Sequence, residues 1–477
     1  MNYRIKLLTI VFIILTNYTA YTQNAQRNAI TLKQAVDVAI TNNLQVKQSD
    51  LQMQNAAVNL RQARANQLPD LIGGLTHGIN QGRSIDPFSN SYVNQQIFFG
   101  NYNLNSSVVL FNGAELINLI KENALSYNAS KMELQQAKDN LTLNVILAYL
   151  QILQNEDQLD QSKNQVLLTS KQVERLEILN KEGAIIPAQL YELKGQLAND
   201  QLSLINNQNA ADGARLTLSQ LMNVDYDKNL EVEKLTADQF ARFEGDPAAI
   251  YQKAVTQLSI IKATELRQQS ASRGVKVARG EFYPTIGLSG GLGTNYSSAA
   301  TSDILLSTQQ VPSGDFVTFN GSQVPVYTNK SNFGIQKINY FNQFNNNYNT
   351  NLSLNIRIPI LNAFQAKNRL ALAKIELKNR QYIAETSKIQ LKQSIEQAYF
   401  NMTASYEKYT TLLQQVSDFN EAFKIAEVRF NAGATNQVEY LIAKNNADRA
   451  RINLIVARYD YLFRVKILNY YEGSLSL

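Results

Sequence analysis

The chain of 477 residues contains no cysteine, which excludes disulfides, zinc–thiolate sites and a lipid carried on an N-terminal cysteine. It has one histidine, His77, so a Ser-His-Asp arrangement would depend on a residue that lies in a segment read as strand. Gly287-Leu288-Ser289-Gly290-Gly291 has only the outline of a nucleophile elbow, because no helix follows it. No catalytic residue, metal or cofactor is therefore expected, and no enzyme activity. Beyond the first residues nothing approaches 18 uninterrupted apolar side chains, so no transmembrane helix is expected, and any bilayer insertion is by β-strands. Charge is sparse as well: 45 Lys and Arg against 39 Asp and Glu leave +6. No basic cluster with interleaved aromatics is present, so nucleic acid is not an expected partner.

Residues 1–22 read as a signal peptide: Arg4 and Lys6 precede an apolar run from Leu7 to Leu15, and a small-residue zone follows near Ala20 to Gln23. The run is too short for a membrane anchor.

Proline is absent from residues 113 to 181, and glycine only brackets the stretch, at Gly113 and Gly183. Within it Val145, Ile152, Leu159, Val166 and Val173 recur every seven positions, which aligns them on one seam of a helix wound to 3.5 residues per turn. About 250 residues later Ile395, Met402, Tyr409, Val416, Phe423 and Phe430 repeat the seam. Two coiled-coil struts, 113–181 and 363–431, are predicted, each about 100 Å long at 1.5 Å per residue. The chain is an internal duplication: repeat 1 over 23–222, a linker at 223–245 lying as an irregular equatorial belt, and repeat 2 over 246–477.

Each strut is expected to be accompanied by two half-helices. One runs from Thr31-Leu32 to about Gln67 and has its counterpart from Asp246-Pro247 to Phe282; the other two cover 187–222 and 437–471. Between the first half-helix and the strut the period changes to two, giving one β-hairpin per repeat, 69–111 and 284–361. Their return strands alternate most clearly. Asn101, Asn103 and Asn105, with Asn351, Ser353, Asn355 and Arg357, make an amide-rich face that suits a watery lumen. Leu104, Val108 and Leu110, with Leu352, Leu354, Ile356 and Ile358, make an apolar face that suits outer-membrane lipid. A soluble sandwich with one solvated face is the alternative, and it would need more strands.

Four strands cannot close a barrel, so copies must share one. Two copies give eight strands with a filled interior, three give twelve and a wider lumen, and a conduit favours the trimer. The segments between strands, 80–96 and about 295–348, are expected as loops, the second carrying all 35 residues by which the repeats differ.

Several junctions carry a family resemblance. The helix ends Leu68-Pro69-Asp70-Leu71 and Tyr283-Pro284-Thr285-Ile286 match, as do the strand-to-helix junctions Leu110-Phe111-Asn112-Gly113 and Pro359-Ile360-Leu361-Asn362-Ala363. Ala148-Tyr149 pairs with Ala398-Tyr399, and Lys181-Glu182-Gly183-Ala184 with Asn431-Ala432-Gly433-Ala434. With this spacing the chain resembles the TolC-type outer-membrane efflux protein family. The resemblance implies a mainly α fold with a membrane β-barrel part: a homotrimeric β-barrel in the outer membrane, to which each protomer gives four strands, continued by an α-helical coiled-coil barrel that forms a periplasmic tunnel. It implies no catalytic chemistry. The partners implied are a periplasmic adaptor and, through it, an inner-membrane transporter. The function implied is passive exit of small toxic compounds; a duct for type I polypeptide secretion is the alternative, and a pore-less periplasmic coiled-coil scaffold a third.

By the same resemblance Gly183, Ala184, Gly433 and Ala434 form the adaptor-docking tip. Glu439 falls where relatives place an acidic ring at the narrowest point of the tunnel, where three carboxylates would admit cations and repel anions. The family's polar lock is absent, its positions being occupied by Phe430, Thr435 and Gln189.

Overall fold

Thr31 caps the first helix by accepting a hydrogen bond from the Gln34 N–H while the Gln34 side chain returns one to the Thr31 N–H, a reciprocal capping box. The computed structural model describes residues 29–86, 89–234 and 240–474; the signal peptide expected at 1–22 lies outside them. In chain order the elements are α1 (Leu32–Asn42), α2 (Leu44–Ala65), β1 (Ile72–Asn80), β2 (Arg83–Ile85), β3 (Tyr92–Asn94), β4 (Ile97–Asn112), α3 (Glu115–Lys181) and α4 (Pro187–Met222). The second half holds α5 (Pro247–Gln257), α6 (Ser259–Gly280), β5 (Thr285–Ser297), β6 (Thr301–Phe319), β7 (Ser322–Lys337), α7 (Tyr340–Asn346), β8 (Asn349–Arg357), α8 (Gln365–Asn431) and α9 (Gln437–Glu472).

Helix lengths match between the halves: 67 residues for α3 and α8, 36 for α4 and α9. Every seam residue is buried or half-buried, with Val145, Ile152 and Ile395 fully buried. The half-helix expected from Thr31 to Gln67 is instead two helices. Asn43 leaves the helical region at ψ 126, and its side chain accepts hydrogen bonds from the Gln45 and Val46 N–H groups, so one residue ends α1 and caps α2. Leu258 makes the equivalent break at ψ 133 between α5 and α6.

Contacts divide the chain into a sheet unit, Asn55–Tyr127 with Arg267–Gln381, and a helical unit comprising the remaining described residues. In the helical unit the linker is tied down by tyrosines. Tyr149, buried, donates to the Ile30 and Glu233 carbonyls, and burial pushes its hydroxyl up to about 12. Tyr461 donates to the Ala241 carbonyl and accepts from the Phe243 N–H.

In the sheet unit the main sheet is antiparallel in the order β1-β4-β5-β8, so β1 and β8 are its open edges. Cross-strand rows assign its faces. Leu75↔Tyr102, Leu104↔Leu292, Val108↔Leu288↔Leu354 and Ile286↔Ile356 lie on one side. Gly74↔Asn103, Asn105↔Gly291↔Asn351 and Ser289↔Ser353 lie on the other. Glycine in β5 has a steric cause: a Cβ at Gly291 would stand 2.5 Å from Asn351 Oδ1 and 2.9 Å from Asn105 Oδ1, because amides from both neighbouring strands reach across it.

Four sequence expectations change here. The alternation through Leu110 is interrupted by a bulge that makes Leu110 the extra residue and places Phe111, not Leu110, opposite Ile286. Ile358 lies beyond the end of β8, where Pro359 cannot donate to a ladder. The long segment expected as a loop at about 295–348 is mostly regular: β6 and β7 form a hairpin of their own, and α7 follows. Its turn is Asn320-Gly321, at φ 48 and 82, the backbone that a two-residue hairpin turn requires. The 80–96 segment likewise holds the short β2–β3 pair.

Candidate functional site at the helical turns

The turns that join α3 to α4 and α8 to α9 share one geometry. Gly183 and Gly433 both have φ 71, and in each turn the glycine N–H and the following alanine N–H close back on carbonyls of the last helical turn. A Cβ at either glycine would meet no atom within 4 Å, so glycine is required there by the left-handed backbone and not by crowding. Gly183, Ala184, Gly433 and Ala434 are all exposed, and Ile186 and Val438 stand beside them at 67% and 58% exposure.

Glu439 lies in the first turn of α9, where the Asn436 side chain accepts from its N–H. Its carboxylate is not bare: Arg429 Nη1 lies 3.0 Å from Oε1, and the Thr435 hydroxyl donates to Oε2. Within the chain Glu439 thus forms an ion pair with Arg429, supported by Thr435. Phe430 faces inward and stacks on Tyr440, their ring centroids 4.7 Å apart, against the Val173, Leu176, Leu190 and Leu193 cluster. Packing against these side chains holds Phe430. Gln189 is half-buried in the first turn of α4.

Two further contacts join the first helical hairpin to the second, and the sequence reading did not single out their residues. Arg175 on α3 donates to Asn431 at the end of α8, through Nη1 to the side chain and through Nη2 to the carbonyl at 2.5 Å. A cation at a helix C-terminus complements its dipole. Deeper in, Lys444, 1% exposed, has its Nζ 3.0 Å from Asp200 Oδ2 and 2.8 Å from Asp448 Oδ2. Thr169 and Gln196 donate to Asp200 and Gln161 to Asp448, so the buried carboxylates have partners beyond the lysine. The signal was a charge placed inside an apolar stripe: Lys444 follows buried Tyr440, and Asp200 follows Leu190, Leu193 and Leu197.

The outer membrane efflux protein family model matches residues 35–224 and 250–468. The chain belongs to the outer membrane efflux protein family. No functionally curated protein matches the sequence. Among solved structures the fold is similar to that of VceC from Vibrio cholerae, at 15% identity and TM-score 0.72, covering 93% of this chain and 97% of that one. It is similar also to the CmeC outer membrane channel of Campylobacter jejuni, at 16% identity and TM-score 0.71, covering 96% and 91%. The open state of the Neisseria gonorrhoeae MtrE channel matches at 16% identity and TM-score 0.66, covering 93% and 89%. As an outer membrane efflux protein the chain is located in the outer membrane, with strands that cross it and helices in the periplasm. Its fold is that of these channels, mainly helical with a strand part. Among the described residues no helix is long and apolar enough to cross a membrane.

Proposed function

We propose that three copies of this chain form the exit duct of a tripartite efflux system, passing small toxic compounds from a periplasmic adaptor and an inner-membrane pump to the exterior. The observation that carries the reading is the main sheet: four strands, one apolar face, one amide face and two open edges, β1 and β8. An open edge is not tolerated in lipid, so each β8 pairs with a β1 of the next copy, and twelve strands leave a water-filled lumen. Asn101, Asn103, Asn105, Asn351, Ser353, Asn355 and Arg357 line that lumen. Leu104, Val108, Leu352, Leu354 and Ile356 face lipid.

The exposed turns at Gly183-Ala184 and Gly433-Ala434 form the adaptor-docking tip, where small residues permit close approach and Ile186 and Val438 supply apolar contact. Glu439 and Arg429 stand at the constriction, with Phe430, Thr435 and Gln189 as its supports. The chain does no chemistry; the pump supplies the energy.

The test begins with detergent extraction of the outer membrane, where a trimer that conducts ions in a planar bilayer is expected; a water-soluble monomer would end the duct reading. A deletion strain then reports the cargo. Retained small toxic compounds support efflux, whereas loss of a secreted polypeptide with unchanged drug sensitivity identifies type I secretion instead.

A further inference from the structure

The seven residues of α7 lie across the apolar face of the main sheet, at the strand ends remote from the long helices. Tyr340 meets Tyr296 with ring centroids 4.9 Å apart, and Phe344 meets Tyr102 at 5.7 Å. Both sheet tyrosines stand on the face that carries Leu75, Leu104 and Leu292. Hydrogen bonds fix the helix there. The Thr294 hydroxyl donates to the Phe344 carbonyl, the Asn347 side chain to the Asn295 carbonyl, and the Tyr340 hydroxyl to that of Tyr102 at 2.8 Å. The buried Gln343 side chain accepts from the Ser297 N–H and donates to the Ser297 and Ile338 carbonyls.

Between α7 and the strands runs a groove of about 430 Å³, lined by Leu75, Tyr102, Leu104, Leu292, Phe344 and Tyr348. Gly73 deepens its floor, since a Cβ there would meet only Leu104, at 3.9 Å. With the Thr294 and Tyr102 hydroxyls already engaged, the walls present carbon in the main.

The groove opens onto a longer apolar band. The same face continues through Val108, Leu288 and Leu354 to Phe111, Ile286 and Ile356. From Tyr102 to Phe111 is about ten residues, the length of a tilted strand that crosses hydrocarbon. Exposed rings stand at both ends, Tyr340, Phe341 and Tyr348 at one and Phe282, Tyr283 and Phe364 at the other. Aromatic rings favour the boundary between lipid and water. On its other side α7 turns Asn342, Asn345 and Asn346 outward, one polar edge at helical spacing.

We propose that the groove beneath α7 seats an acyl chain of an outer-membrane lipid, with α7 lying in the plane of the interface and its asparagine edge level with the headgroups. The inference rests on the lipid-facing reading of the apolar sheet face given above, and names what that face takes at its outer end. Continuity decides the occupant: the strands of this outer-membrane chain cross the bilayer, and the groove is the end of their apolar face.

The chain has no tryptophan, so one introduced indole reports from one place. Full-length Phe344→Trp, reconstituted in phosphatidylcholine vesicles with bromine on the acyl chains near the glycerol end, is expected to lose most of its indole fluorescence. Leu354→Trp, on the same face, is expected to be quenched by bromine nearer the chain terminus, and Ser353→Trp, on the amide face, by neither. Adding Gly73→Leu to Phe344→Trp fills the groove and should restore most of the emission, while Leu354→Trp with Gly73→Leu stays quenched. Tyr348→Trp lines the same groove and replaces Phe344→Trp if that variant fails to fold. Unquenched Phe344→Trp beside quenched Leu354→Trp overturns the proposal and leaves the lipid-facing sheet standing; another part of the chain or a second copy then covers the groove. Quenching that Gly73→Leu does not relieve overturns it as well, because the ring then touches only bulk lipid. Unquenched Leu354→Trp overturns both readings.

Discussion

Lys194 and Lys444 occupy the same place in the two repeats, eleven residues after Gly183 and Gly433, yet they live in different surroundings. Lys194 is 43% exposed and pairs at 2.7 Å with Glu177 on its own helical hairpin. Lys444 is buried between Asp448 on its own helix and Asp200 on the other hairpin. The duplication preserved the residue and the backbone around it. Which hairpin lies across from it differs, and that difference turns a surface pair into an internal pin.

The largest expected effect sharpens this contrast. Lys444→Met leaves buried Asp200 without its cation and Asp448 with only the longer 3.5 Å pair to Arg451, and a loss of about 3–5 kcal/mol in denaturant unfolding of the helices is expected. Lys194→Met should leave the unfolding midpoint unmoved, because surface pairs contribute little. Equal losses would break the comparison. Combining Lys444→Met with Asp200→Leu and Asp448→Leu should recover most of the stability, since an apolar replacement of a buried ion cluster is often neutral.

Next come the turns, where the repeats agree. Valine at Gly183 or at Gly433 forces a β-branched side chain into a left-handed backbone, and a cost of about 1–2 kcal/mol is expected at each. The two costs should be equal in unfolding measurements. Export should fail while trimers persist on native gels; loss of trimers would assign the glycines to folding alone.

A smaller difference separates Tyr149 from its counterpart Tyr399. Tyr149→Phe removes the hydrogen bonds to the Ile30 carbonyl and to the Glu233 carbonyl of the linker and should cost roughly 1–3 kcal/mol, because these acceptors lose a donor. Tyr399 is only half-buried, and Tyr399→Phe should cost less in the same melt.

The subtlest effect is electrical. Glu439→Gln frees the Arg429 charge and should move bilayer conductance toward anions, and Arg429→Gln unmasks the carboxylate and should move it toward cations. Shifts of the same sign would remove the pair from the ion path.

The helices were legible because their signals are local and repeated: the seven-residue seam, the prolines at the helix boundaries and the glycine turns all fall where the elements begin and end. The broken half-helices were not, although Asn43 is a capping residue, because the apolar pattern continues through it. The β6–β7 hairpin announces its turn with Asn320-Gly321. Its Ser and Asn content hides the strands, and its register shifts between Leu305 and Ser307 and between Pro312 and Phe316 destroy the period of two. At the turns, Glu439 stood out by its position, but Arg429, Arg175 and Lys444 gain their meaning from contacts between hairpins far apart in sequence.

The matched helix lengths set a rule for how this molecule can change. One residue inserted into α3 or α8 would rotate everything beyond it by about 100° and carry the seven-residue seam off its neighbour. The rods therefore act as vernier scales that admit no added increment. Growth is possible only where no neighbour keeps count, and the 35 residues that distinguish the repeats sit there, in the span that holds the β6–β7 hairpin.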